Sequence, residues 1–208
     1  MGEIETKDKI IQTALPLFAE FGFSGVSIRS LAKEAGVNIA AINYHFQNKE
    51  NLYYSVVEYS YLQIQKNIED LESQKQWEIE PFVLAMFDMF LEKGMFLVNT
   101  FKILISGGKI FDQLCQSGCF NGPSGAMSLS KILDREVPGV HLKEKRQFIH
   151  LIFSQITHSA VILSSISFHD HPEVVEREYS LKFEEIREAL MMLVEMGLDH
   201  LKNNRKNC

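Results

Sequence analysis

The chain has 208 residues, is 46% hydrophobic and carries a formal net charge of −6 at pH 7. With Phe 15 and Met 8 it holds enough apolar side chain for a real core, which excludes a disordered tail. The acidic balance excludes a nucleic-acid coat protein but leaves room for a local DNA-binding face.

Five prolines, few alternating β-branched runs and many stretches of 3.6 period predict an all-α protein of about nine helices. Cys115, Cys119 and Cys208 are an odd set with no disulfide framework, which favours a reducing cytoplasm. No run reaches about 18 uninterrupted apolar residues, so no membrane span is expected. Neither a Ser-His-Asp spacing, a metal-ligand cluster nor a nucleotide loop stands out; no enzyme and no cofactor is expected.

The first helix is predicted over Lys7 to Phe21, with Ile10, Ile11, Ala14, Leu15 and Phe18 on one side and Thr6 as its cap. Pro16 should remove one backbone bond and kink it. Gly22 and Gly25 bracket the link to Ser27–Leu52, SIRSLAKEAGVNIAAINYHFQNKENL. Ser27 suits an N-cap before Ile28, Leu31, Ala32 and Ala35, which share one face. Gly36 sits where a helix end favours a left-handed residue, and Asn38 can cap a second short helix, Ile39 to Phe46. Ala32 and Ala40 are small where crossing helices need to approach closely. Two short helices about a glycine turn form a helix-turn-helix, the second shaped for a major groove.

Residues 7 to 52, above all SIRSLAKEAGVNIAAINYHFQNKENLY, resemble the N-terminal domain of the TetR family of transcriptional regulators. Tyr44-His45-Phe46 followed by Asn48-Lys49-Glu50 and Leu52 carries much of that resemblance, and NIAAINYHF looks most like the CecR (YbiH-like) branch. The resemblance implies a helix-turn-helix domain over 1–50, joined by a long helix to a ligand-sensing and dimerisation domain over 51–208. It places Asn38 to His45 in the major groove. Ile39, Ala41 and Asn43 would then point outward, with Val37, Ile42 and Phe46 in the core. Asn43 is the best base reader, since its amide can pair bidentately with adenine. Ile39 and Ala41 would meet thymine methyls, and Ser27, Arg29, Tyr44, His45 and Lys49 would hold phosphates. For His45, packing against the following helix is the alternative. This chain has Asn38, Ala40 and Asn43 where the family often has Ser or Thr, Gly and Tyr, so its operator is its own. Charge lends little help: residues 1–52 hold five basic side chains (Lys7, Lys9, Arg29, Lys33, Lys49) against six acidic (Glu3, Glu5, Asp8, Glu20, Glu34, Glu50).

Beyond Leu52 the helical pattern continues through Ile68 to a polar run at Glu72–Gln76, followed by Pro81, a first-turn proline. The stretch from Phe82 to Ser106 is nearly free of charge and predicts central helices. Its aromatic and thioether residues are either plain core or a pocket for an apolar or planar ligand; Phe82, Met86, Phe90, Phe101, Leu104 and Phe153 are the candidate lining. Gly107-Gly108 reads as a helix stop, and Cys115 and Cys119, spaced i, i+4, as structural thiols. After the turn cluster 121–125 comes a helix over Ala126 to Val137. Two long helices close the chain, Leu142 to about Phe168 and Val174 to Leu201. Both are too apolar to bury only one face. By the resemblance, the cover is the same helix pair of a second subunit, with Ile156, Ala160, Leu163, Leu190, Leu193 and Val194 at the interface. His169 and His171 read as polar loop residues, and His150 and His158 as pocket-edge or interface residues.

The expected protein is a homodimeric repressor on a palindromic operator, with recognition helices about 34 Å apart and a small, largely apolar effector that releases it. A regulator needing its ligand to bind DNA is the alternative; a helical adaptor that binds only protein is the weaker one.

Overall fold

The computed structural model describes the backbone of residues 3–106, 124–164 and 183–204, and side chains within 5–103, 124–164 and 184–204. Among these residues nine helices and no strands occur. In chain order they are α1 (Glu3–Gly25), α2 (Ile28–Ala35), α3 (Ile39–Phe46), α4 (Lys49–Ser73), α5 (Ile79–Glu92), α6 (Gly94–Ser106), α7 (Ala126–Glu136), α8 (Leu142–Leu163) and α9 (Phe183–Asn204). The all-α expectation holds. Cys115, Cys119, Cys208, His169, His171 and the Gly107-Gly108 stop lie outside the described residues. Among the described residues no helix is long and apolar enough to cross a membrane.

The helices sort into two compact units: one holds the chain up to Ile64 together with α6 from Phe96, the other Gln65–Met95 and the chain from Gly122. Helix α4 therefore contributes to both, without a break in its 25 residues.

In the first unit, Ile10, Ala14 and Phe18 of α1 close on Leu31 of α2, Ile42 and Phe46 of α3, and Leu52, Tyr53 and Val56 of α4, all fully or almost fully buried. Phe18 and Phe23 both meet Tyr53 edge to face, at 4.8 and 5.3 Å between centroids. Tyr53 satisfies its hydroxyl on the Ile103 carbonyl at 3.1 Å, so the ring can be buried without an orphaned polar atom. Helix α1 leaves helical geometry at Gly22, next to its expected end at Phe21; φ there is 68°, a left-handed value that suits a residue without a Cβ. Pro16 remains inside the helix.

In the second unit α5, α8 and α9 pack together, with α7 against α5 and α8. The apolar run from Pro81 is two helices, parted at Lys93–Gly94. A Cβ on Gly94 would lie 2.3 Å from Ser164 Oγ, so the turn and the end of α8 meet only because residue 94 is glycine. The link between α4 and α5 is closed by Trp77, which is buried and donates Nε1–H to the Leu71 carbonyl at 2.8 Å. Helix α7 holds this link with its polar residues: Ser128 and Lys131 on Glu72, Arg135 on the Trp77 carbonyl, Glu136 on the Ile79 N–H. Burial, the Ser128 hydroxyl and the Lys131 ammonium all act on Glu72. The hydroxyl has the largest effect, and the carboxyl is held below the usual carboxylate range.

Candidate nucleic-acid interface

The presentation of α3 begins with the local chemistry of α2. Ser27 is extended (φ −99°, ψ 149°) and accepts from the Ser30 N–H at 2.9 Å, while Ser30 Oγ accepts from the Ser27 N–H at 3.1 Å. This reciprocal capping box starts α2. Leu31, Ala32 and Ala35 are buried, leaving Arg29, Lys33 and Glu34 exposed. Gly36 ends the helix at φ 62°, giving its N–H to the carbonyls of Ala32 and Lys33; Val37 also donates to Ala32 at 3.0 Å.

Asn38 then caps α3, its Oδ1 accepting from the Ala41 N–H at 2.6 Å. Ile42 and Phe46 anchor the inner face, and Val37 is half-buried beside them. The outer face shows Ile39 at 43% exposure, Ala40, Asn43, and Tyr44 at 72%. Two expectations change here. Ala41 is half-buried rather than outward, and Ala40 is exposed rather than a close-approach residue, because α3 is turned so that 39, 40, 43 and 44 share the free face. Ala32 does sit buried in the core. His45 is half-buried, its ring 5.2 Å from Tyr44 and 6.0 Å from Phe46.

Lys49 opens α4 with its ammonium 4.3 Å from the centre of the Phe23 ring. That contact was not legible in the spacing, since it depends on the turn at Gly22. It holds a cation at the N-terminal end of α4, where backbone N–H groups also face outward. Asn48 caps α4 through the Asn51 N–H at 2.8 Å.

The pocket and interface candidates fall differently. Phe82, Met86, Phe90 and Phe153 are buried core of the second unit, Phe101 is half-buried in the first, and the Leu104 side chain lies outside the described residues. None of the five described candidates lines the groove of about 450 Å³ between α8 and α9, whose wall includes Glu144, His150, Leu151, Leu193, Met196 and His200. Of the six interface candidates, Ile156, Ala160, Leu163, Leu190 and Val194 are inside the chain's own core, each at most 2% exposed. Only Leu193 reaches the groove; on the described parts of these helices the large apolar side chains more than half exposed are Leu142, Leu151, Met192 and Met196. His150 and His158 are exposed, and His150 lines the groove edge.

An all-α chain whose N-terminal unit holds a helix-turn-helix with a capped, outward-facing second helix defines a helix-turn-helix protein. Residues 10–56 match the model of the bacterial regulatory proteins of the tetR family. The chain is 44% identical over 89 residues to the HTH-type transcriptional regulator YttP of Bacillus subtilis, covering 42% of this chain and 43% of that protein. It is 40% identical over 52 residues to the icaADBC biofilm-operon negative regulator IcaR of Staphylococcus epidermidis, 25% of this chain and 28% of that one. Each match thus spans less than half of the relative's length. Among solved structures, a TetR-family transcriptional regulator from Mesorhizobium loti aligns with a TM-score of 0.69 at 18% identity, over 96% of this chain and 98% of that one. The fatty acid degradation regulator FadR of Bacillus halodurans aligns at 0.60 and 17%, over 92% and 94%. At such identities the structures establish the shared fold.

Proposed function

We propose that the protein is a sequence-specific DNA-binding transcriptional regulator acting as a homodimeric repressor on a palindromic operator. The observation that carries this reading is α3 itself: Ile42 and Phe46 lock one face, so Ile39, Ala40, Asn43 and Tyr44 present the other to solvent. Arg29 and Lys49 flank it, suited to phosphates. Among the relatives, IcaR is named a negative regulator, which favours repression here. NIAAINYHF keeps the CecR-like branch as the finer placement.

In this reading a second copy covers Leu151, Met192 and Met196 on α8 and α9, replacing the interface set expected from sequence. The effector is small and largely apolar, taken up where Phe82, Met86, Phe90 and Phe153 repack around it. Its binding favours a state whose recognition helices no longer match successive major grooves, with unbroken α4 carrying the change.

The test is selection of bound sequences from a random duplex pool, followed by titration at two salt concentrations. Enrichment of a palindrome supports the reading. Weak binding without enrichment, lost on raising salt, contradicts it.

A further inference from the structure

Recognition of each base pair in the major groove needs particular side chains. Guanine is read by Arg or Lys on O6 and N7, cytosine by Asp or Glu on its amino group, and Ser or Thr can serve either pair. Helix α3, IAAINYHF, contains none of these six residue types. The two serines nearest it in the motif, Ser27 and Ser30, spend their hydroxyls on each other and on the α2 backbone. His45 is half-buried beside the rings of Tyr44 and Phe46.

The groups α3 does present are of another kind. Ile39 and Ala40 put branched and single methyls on the exposed face, and Asn43 stands one turn on from Ile39. An amide reads adenine by accepting from N6 and donating to N7, so both of its ends are needed. Asn38 has its acceptor engaged by the Ala41 N–H at 2.6 Å, which leaves this role to Asn43.

We infer that the base pairs under α3 are A·T pairs, with Asn43 on an adenine and the Ile39 and Ala40 methyls against thymine C5-methyl groups. The inference rests on the DNA-binding reading above and names the kind of operator it requires. A guanine in the half-site is beyond the side chains of α3 and is left to Arg29, exposed on α2, which would then exchange its phosphate contact for a base contact.

Deoxyuridine in place of thymidine removes the C5-methyl and leaves the pairing intact, so it isolates the methyl contact. In the duplex selected from the random pool, each contacted thymine changed to uracil weakens binding about fourfold, the value of one buried carbon. Ile39→Ala abolishes that sensitivity at one position of each half-site. Ile39 is 43% exposed, so this change spares the core, and circular dichroism confirms the fold. Two results overturn the inference while leaving the regulator reading standing. One is a selected palindrome with a G·C pair whose preference is lost in Asn43→Ala or Ile39→Ala but survives Arg29→Ala. The other is full indifference to uracil. Absence of any enriched sequence overturns both.

Discussion

Ser27 and Asn38 are expected both to cap helices and to face DNA, and their hydrogen bonds show capping in use. Replacing Ser27 by Ala removes the acceptor for the Ser30 N–H and is expected to cost about 1 kcal/mol of stability. Thermal unfolding with and without the substitution checks this; an unchanged midpoint would contradict the cap. Asn43 and Lys49 separate by kind of contact. Asn43→Ala is expected to lose about 1–3 kcal/mol on the selected duplex and almost nothing on random DNA. Lys49→Ala weakens both similarly and lowers the salt slope by about one. Equal losses on both duplexes in Asn43→Ala would remove it from base reading. The caps were legible because a cap is a local affair of three or four residues. The Phe23 ring beneath Lys49 was not, since it is brought there by a left-handed glycine one residue earlier.

At the scale of elements, α8 and α9 show where reading from pattern stops. Their apolar residues run round more than one face, from which a covered second surface is expected. Periodicity gives no mark to say which face meets the chain's own core. Phe148, Ile152, Ile156 and Ala160, four apart, turn inward, and Leu151 is left outside. Gly197 lies at their crossing: a Cβ there would sit 2.5 Å from the Phe148 ring. Gly→Ala within a helix ordinarily gains up to about 1 kcal/mol. Here Gly197→Ala is expected to destabilise the fold through overpacking, by about 1–3 kcal/mol, and so to lower the unfolding midpoint. The loss should be smaller in a Phe148→Leu background. A raised midpoint in the single variant would show that the ring yields freely.

The grip of α7 on the end of α4 was also absent from the sequence reading, because its partners are more than 50 residues apart. Its pH dependence has a definite sign. Glu72 has a lowered pKa in the fold, so its contribution is present above the ordinary carboxylate value and is lost as pH falls through the folded one. Ser128→Ala removes the largest cause of the shift. The stability difference between wild type and Ser128→Ala is therefore expected at neutral pH and should shrink in acid. A difference that stays constant down to pH 3 would assign it to packing alone.

For the whole molecule, the compact units do not follow the division at residue 50 that function invites. Helix α6 joins the helix-turn-helix unit through Phe96 and Ile103, and α4 is shared. Contacts distant in sequence decide such boundaries, so the break in motif resemblance near Leu52 does not reveal them. A homodimer held by the exposed side of α8 and α9 predicts that Met196→Glu, 63% exposed in the single chain, gives a folded monomer. Sedimentation should show half the mass with unchanged helicity, and binding to the palindrome should fall with it. A dimer that survives this charge would move the interface elsewhere.

In the proposed function, the outer face of α3 reads DNA sequence. That role is tested most directly by titrating the protein against the selected palindrome and a scrambled duplex of equal length, at one physiological salt concentration. A sequence reader is expected to prefer the palindrome by at least about a thousandfold, and Asn43→Ala should remove much of that preference. Equal affinity for the two duplexes, with wild type and variant alike, would contradict the account.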